Sequence, residues 1–311
     1  MENNETINLL KRIAVALESI ANSLCEKKNT TISDNSINAS ENIIEHTPHD
    51  KEVVDTDASS KLPLVIENFL LKRNITIKTL PSENLADATI NSLSDLLGKN
   101  YNGFRELLSK IKQNMQHGTP FQLSIKSYSQ VDMSNICQFS QKLYDIAFLK
   151  EYRYQKSPVC MIRATPTTIP VAQNFFSGKW LERFVLLTIQ RVIQTVSTKL
   201  QKKLTFSYVI NPQVILPNGD NFEIDILFQV HNSFYWIEAK SGDYQQHIHK
   251  YAKMSKILNL DCAHSIMVLT DISEDKTSAL TALFSMTVLS ISQLENKLLT
   301  VLTQDHNTND L

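Results

Sequence analysis

The segment FEIDILFQVHNSFYWIEAK, residues 222–240, constrains the fold of this chain more than any other stretch. Apolar residues at every second position from Phe222 alternate with Glu223 and Asp225, which is the period of a half-buried strand with its acidic side chains on one shared face. The triplet HNS at 231–233 favours a turn, and residues 234–240 are again aromatic and β-branched. The segment therefore predicts a hairpin of two apolar strands.

The hairpin brings a particular set of charges together. Glu238 and Lys240 lie two residues apart on one face of the second strand, and Asp225 lies on the first. Carboxylate oxygens suit a hard cation such as Mg²⁺, and a lysine can orient or deprotonate water and offset charge on a reacting phosphate. We expect Asp225, Glu238 and Lys240 to form a catalytic set for phosphodiester cleavage. Asp225 and Lys240 are expected on an exposed strand face, where replacement of either by alanine abolishes cleavage and leaves folding intact.

The spacing Glu-x-Lys by itself is uninformative, because it occurs four times in the chain. Only the copy at Glu238 ends an apolar strand and follows a second apolar strand that contains an acidic residue. The alternative is a two-stranded ribbon whose solvated face carries charges without chemistry.

Residues 175–298 resemble the PD-(D/E)xK phosphodiesterase family. Glu182 stands on a predicted helix before the hairpin, Asp225 on a strand without an adjacent proline, and Glu238, Ala239 and Lys240 on the next strand. The segments GKWLE, FEIDIL and WIEAKSG are similar to the nuclease half of CRISPR ancillary nucleases. The resemblance implies an α/β, restriction-endonuclease-like fold, a mixed sheet flanked by helices.

The same resemblance implies a metal site and an activity. Glu182, Asp225, Glu238 and the Ala239 carbonyl are the expected ligands of Mg²⁺ or Mn²⁺, and Lys240 is expected to position the attacking water. The implied activity is that of a metal-dependent endonuclease, with DNA as the preferred substrate and defence against foreign DNA as the setting. For Glu182 the alternative is a solvated carboxylate that complements the helix dipole.

Two basic groups are candidates for nucleic-acid binding. Lys250 and Lys253 recur at three-residue spacing on the helix predicted after the hairpin, and Arg153 and Lys156 lie on a predicted β-hairpin upstream. For Lys250 and Lys253 the alternative is a solvated basic face without a nucleic-acid contact. For Arg153 and Lys156 the alternative is that their module has a purely structural role.

The chain divides into four predicted parts. Residues 1–25 carry leucine and isoleucine at the 3-4 spacing of a short coiled coil, which favours a homo-oligomer or docking on the same chain. Residues 26–61 are polar and predict a flexible linker. Residues 62–165 predict a mainly helical domain, for which a winged helix is one interpretation, and residues 166–311 predict the nuclease domain.

Composition sets the remaining bounds. Residues 1–60 carry 5 basic and 11 acidic residues, so the near-neutral total of −1 conceals a mildly basic remainder. Four cysteines show neither a disulfide nor a zinc spacing, and neither a signal peptide nor a membrane-spanning run is recognisable. We expect a cytoplasmic protein. The competing functions are a non-catalytic nucleic-acid-binding or assembly protein on a nuclease scaffold, an RNase, and a nuclease gated by a second messenger.

Overall fold

A computed structural model of the 311-residue chain describes residues 62–81, 87–242, 244–245 and 248–307. The predicted coiled coil at 1–25 and the predicted linker at 26–61 lie outside the described residues. Within the described ranges, no helix is both long enough and apolar enough to cross a membrane.

The helices and strands alternate along most of the chain. The helices are α1 (Leu64–Leu71), α2 (Ala88–Lys99), α3 (Tyr101–Asn114), α4 (Gln130–Asp145), α5 (Pro170–Asn174), α6 (Trp180–Leu200), α7 (Ile248–Ile257), α8 (Glu274–Phe284) and α9 (Leu294–Asn307), with a π-helical turn at Phe175–Lys179 before α6. The strands are β1 (Thr76–Thr79), β2 (Phe121–Ser124), β3 (Leu149–Gln155), β4 (Met161–Pro166), β5 (Phe206–Ile210), β6 (Gln213–Ile215), β7 (Asn221–Glu223), β8 (Ile226–Val230), β9 (Ser233–Lys240), β10 (Ser265–Leu269) and β11 (Thr287–Ser290).

The centre of the molecule is a five-stranded mixed sheet in the order β11-β10-β9-β8-β5. Strands β9, β10 and β11 run parallel, whereas β8 is antiparallel to both β9 and β5. Helices cover both faces: Ile237 belongs to the hydrophobic cluster that contains α6, and Trp236 belongs to the cluster that contains α1 and α7. The prediction of an α/β fold with a mixed sheet and flanking helices is confirmed.

The predicted strand at 222–228 is divided in two. β7 ends at Glu223 and pairs with β6, whereas β8 begins at Ile226 and pairs with β9. Residues Ile226 to Phe228 are all buried, because β8 is an inner strand whose two faces are both covered. The half-buried interpretation of this stretch is therefore wrong, and the break between β7 and β8 places Asp225 where two sheets meet.

A second module precedes the central sheet. Helices α2, α3 and α4 pack with a three-stranded sheet in the order β2-β4-β3, and this module shares one continuous core with α6 and the inner face of the central sheet. The segment from α1 to β1 packs elsewhere, because β1 pairs with β6 and α1 lies against the other face of the central sheet. The boundaries at 62, 165 and 166 stay predictions, as does the winged-helix interpretation.

Candidate active site

Three predicted catalytic side chains meet at the end of β9. The Lys240 ammonium nitrogen lies 2.9 Å from Asp225 Oδ2 and 2.7 Å from Glu238 Oε1. Glu238 and Lys240 are brought to the same side of β9 by the period of the strand, and Asp225 reaches them from the β7–β8 junction. The structure thus brings together the three residues that sequence analysis selected, whereas their catalytic role stays a proposal.

The environment of these side chains differs from the prediction. Asp225 is 2% exposed and Glu238 is 1% exposed, so they do not lie on an exposed strand face. The reason is that α7 covers this face of the sheet, with Tyr251 and Met254 in the same cluster as Trp236. The expectation that Asp225→Ala and Lys240→Ala leave folding intact is withdrawn, because each change disrupts a buried ion pair.

A cluster of carboxylates adjoins the lysine. Glu182, Glu223 and Asp225 each offer an oxygen within 4.8 Å of the others. Glu182 is in the first turn of α6 and is 8% exposed, which rules out the fully solvated alternative. Lys179, one turn earlier, donates to Glu182 Oε2 at 3.0 Å and lies 3.5 Å from Glu223 Oε1. The cluster could hold a divalent cation.

Sequence analysis missed Glu223 as a candidate ligand. The available signal was the alternation that placed Glu223 and Asp225 on one face, but strand periodicity alone does not show which exposed carboxylate turns towards Glu182. That orientation depends on the β6–β7 pairing, in which Glu223 lies opposite Gln213 and accepts a hydrogen bond from its amide.

Backbone geometry also contributes. The Ala239 amide donates to Asp225 Oδ2 at 2.9 Å. The N–H and C=O of one strand residue point to the same side of the strand, so the Ala239 carbonyl lies on the edge that faces Asp225. The Ala239 carbonyl oxygen, which is a predicted metal ligand, therefore lies on the same side of β9 as Asp225.

Asn211 is a second residue that sequence analysis did not select. It adopts a left-handed conformation with φ of 52° between β5 and β6, and it is 5% exposed. Its backbone amide donates to the Asp225 carbonyl at 3.0 Å, and its side-chain amide donates to Glu182 Oε2 at 2.7 Å. Asn211 therefore ties together two acidic residues that are 43 positions apart in the chain. Asparagine tolerates the left-handed region better than most residues, which was the only local signal.

Burial changes the proton affinity of the acidic residues. The pKa of Glu238 is raised well above its usual range by burial first and by the Asp225 charge second, against the opposing effect of Lys240. The pKa of Glu182 is also raised, by burial and by Asp225, while Lys179 and Asn211 oppose the shift. Burial and mutual repulsion make these carboxylates costly to ionise. A bound cation would offset that cost, because a nearby positive charge favours the ionised form.

The pKa of Lys240 is raised as well, but by neighbouring charges and not by burial. Burial alone lowers the pKa of its ammonium group, but the carboxylates of Glu238 and Asp225 outweigh burial and raise the pKa. Lys240 therefore stays protonated at neutral pH and serves as a cation and hydrogen-bond donor. Its nitrogen also lies 5.5 Å from the ring centroid of Tyr251, whose pKa is raised to about 12 by burial and by Glu238.

The donor set fits a hard cation. Within the described residues, Glu238 Oε2 and Asn211 Oδ1 are buried oxygens without a hydrogen-bond partner. Orphaned buried acceptors are costly, and a cation next to them supplies the missing interaction. Carboxylate and carbonyl oxygens without sulfur or imidazole match the preferences of Mg²⁺ and Mn²⁺.

The predicted nucleic-acid-binding residues occupy two other places. Lys250 and Lys253 are exposed on α7, one position before Tyr251 and two positions after it. Arg153 and Lys156 are exposed on the β3–β4 hairpin of the second module, where Arg153 lies directly opposite Arg163. None of the four belongs to the acidic cluster.

Comparison with known proteins yields a likeness of fold. No protein-family model matches the sequence, and no curated protein is similar enough in sequence to count as a relative. The crystal structure of protein VC1899 from Vibrio cholerae matches with a TM-score of 0.51 at 18% identity, over 77% of this chain and 60% of that one. Can2 from Sulfobacillus thermosulfidooxidans, solved in complex with cyclic tetra-adenylate, aligns with a TM-score of 0.49 at 15% identity, over 76% of this chain and 60% of that one. The chain thus shares its fold with a solved structure and spans less than two thirds of that protein's length.

Proposed function

We propose that this chain is a metal-dependent nuclease of the PD-(D/E)xK type that hydrolyses phosphodiester bonds, with DNA as its preferred substrate. The observation that carries the proposal is the Lys240 ammonium between Asp225 and Glu238, directly beside the Glu182, Glu223 and Asp225 cluster. Each desolvated charge costs several kcal/mol, and a catalytic role accounts for a site that retains so many of them.

The residues divide into ligands and a water-positioning cation. Asp225, Glu182, Glu238 and the Ala239 carbonyl would hold Mg²⁺ or Mn²⁺, and Glu223 extends the ligand set towards solvent. When bound, the cation supplies Lewis-acid activation of water and of the scissile phosphate. Asn211 holds the Glu182 carboxylate and the Asp225 backbone in register for this task.

Lys240 has a donor to spare for the reaction. An ammonium group has three N–H donors, and Asp225 and Glu238 account for two of them. The third can donate to the attacking water or to a phosphate oxygen on which negative charge develops. Its raised pKa favours this electrostatic role over deprotonation of the water.

The biological setting in the proposal comes from sequence. We propose from the sequence that the protein acts in defence against foreign DNA, is cytoplasmic and forms a homo-oligomer through residues 1–25. Phosphate contacts by Lys250, Lys253, Arg153 and Lys156 complete the proposal.

The test is a cleavage assay on linear duplex, supercoiled plasmid, single-stranded DNA and RNA, with Mg²⁺, with Mn²⁺ and with EDTA. Asp225→Asn and Lys240→Met keep the volume of the site, and Asp275→Asn on the exposed start of α8 is the matched control for loss of a carboxylate. We expect metal-dependent cleavage by the wild type and by Asp275→Asn, and a loss of at least 100-fold in the two site variants. Cleavage retained in both site variants would refute the assignment.

A further inference from the structure

A cleft lies beside the candidate active site, between the β6–β7 turn and α7. Its volume is about 610 Å³, which is within the range of pockets that bind small ligands. Leu216, Met254 and Ile257 supply an apolar wall, and Lys250 and Lys253 supply cationic groups at the rim. The combination of an apolar wall and two ammonium groups suits a ligand with one flat apolar part and one anionic part.

The cleft lies next to the site, although its lining includes none of the five charged residues of the site. Phe222 lines it and immediately precedes Glu223 of the acidic cluster, and Lys250 lines it and immediately precedes Tyr251, which lies over Lys240. The Lys250 ammonium lies 4.7 Å from the ring centroid of Phe222. Two pairs of neighbouring residues, one on β7 and one on α7, therefore separate the cleft from the site, and Phe222 and Glu223 point to opposite faces of β7.

Charge in the cleft favours an anion. Among the described residues, neither Lys250 nor Lys253 forms an ion pair with a carboxylate, and His249 also lines the cleft. Among the described residues that line the cleft, the one carboxylate is Asp220, which accepts a hydrogen bond from the Asn218 amide at 2.6 Å. Two lysines against one carboxylate leave a positive rim around an apolar wall.

We infer that this cleft binds one nucleotide of the substrate strand next to the scissile phosphate, with the base against Leu216, Met254 and Ile257 and the phosphate on Lys250 and Lys253. The inference rests on the proposed function and adds a subsite to it. A cleft that holds a single base requires that base to be unpaired, so the substrate strand is single-stranded or locally opened at this point.

The experiment measures binding separately from cleavage. Fluorescence anisotropy of a labelled single-stranded 12-mer is recorded in EDTA, over a series of salt concentrations, for the wild type and for the double variant Lys250→Gln/Lys253→Gln. Lys256→Gln is the matched control, since Lys256 is exposed on the same helix but does not line the cleft. A second arm compares the 12-mer with an abasic strand of equal length, which keeps the phosphates and lacks the bases.

We expect the double variant to weaken binding at least tenfold and to reduce the slope of log Kd against log salt by about 1.4, which corresponds to two lost phosphate contacts on a single strand. Lys256→Gln changes Kd less than twofold, and the abasic strand binds the wild type more weakly than the 12-mer. Equal losses in Lys256→Gln and the double variant, or equal affinity for the abasic strand, overturn the inference.

The outcome also separates the subsite from the nuclease. Binding that depends on Lys250 and Lys253 without any metal-dependent cleavage refutes the nuclease and leaves the nucleotide cleft standing. Cleavage that needs Asp225 while the double variant binds like the wild type refutes the cleft and leaves the nuclease standing.

Discussion

Replacement of Asp225 by asparagine separates metal binding from folding, and the contacts of this residue allow the effect to be worked out. Asn is nearly the same size, and its carbonyl oxygen can still accept from the Ala239 amide. The variant loses an ion pair of 2.9 Å with Lys240, worth about 6 kcal/mol at an effective dielectric constant of about 20. It also loses repulsion from Glu182 and Glu223, each about 3.5 kcal/mol at the 4.8 Å limit of the cluster.

These contributions oppose each other and nearly cancel, and the variant is also relieved of the repulsion between Asp225 and Glu238. Repulsion from Glu223 is weaker than the figure suggests, because this side chain is exposed and therefore screened. Glu238 remains as a partner of Lys240 at 2.7 Å, so the ammonium is not left unpaired. We expect the free energy of unfolding of metal-free Asp225→Asn to lie within about 2 kcal/mol of the wild type.

Metal binding distinguishes the two proteins. A cation present at about 100 times its Kd stabilises the folded wild type by about 2.7 kcal/mol, which raises Tm by roughly 5 °C in a chain of this size. Thermal unfolding in EDTA and in Mg²⁺ measures both quantities, with Asp275→Asn as the control. A Tm that rises equally in Asp225→Asn and the wild type would show that Asp225 is not a ligand. If Asp225→Asn in EDTA has a free energy of unfolding more than about 4 kcal/mol below that of the wild type, the near-cancellation of attraction and repulsion is refuted.

Three further changes test the surroundings of the site. Asn211→Ala removes the amide donor to Glu182 and places alanine at a positive φ that asparagine tolerates better, so we expect a loss of about 1–3 kcal/mol in urea unfolding and weaker Mg²⁺ stabilisation. Asn211→Asp keeps the side-chain shape but has no amide donor, so it should also be less stable than the wild type. Glu238→Gln removes a group whose pKa is raised by folding, and the stability from such a group is present at low pH and lost as pH rises through the raised pKa. The metal-free variant should therefore gain stability relative to the wild type as pH rises above the usual range of a glutamate, and a stability difference that does not change with pH would contradict the raised pKa. Gly98→Ala places a Cβ 2.2 Å from the Phe184 ring, so we expect a loss of about 1–3 kcal/mol, whereas Gly103→Ala, which meets only the Asp132 carboxylate at 3.0 Å, should cost less than 1 kcal/mol.

Much of the site was accessible from the sequence because its signals are local. The period of a strand places Glu238 and Lys240 on one side of β9 irrespective of the rest of the chain, and a two-residue connection at His231 and Asn232 joins β8 to β9. The helix that carries Glu182 was likewise predicted ahead of the hairpin, and it is α6. Each of these features depends only on residues that are close together in the sequence.

The errors have a common cause, which is pairing between distant segments. The alternation at 222–228 predicts one half-buried strand, but β7 pairs with β6 and β8 pairs with β9, so the chain changes sheets at Asp225. Burial of Asp225 and Glu238 depends on α7, which lies across their face of the sheet. A local pattern shows which residues share a face and cannot show what covers that face.

The sequence alone therefore selected Asp225, Glu238 and Lys240, because the strand period places Glu238 and Lys240 on one side of β9, and its resemblance to a known family implied the α/β fold. Only the tertiary structure decided that the charges are buried, that Lys240 is held protonated between Asp225 and Glu238, and that Glu223 and Asn211 join the cluster. The physical reason is that burial, electric fields and long-range hydrogen bonds arise from the packing of segments far apart in the chain.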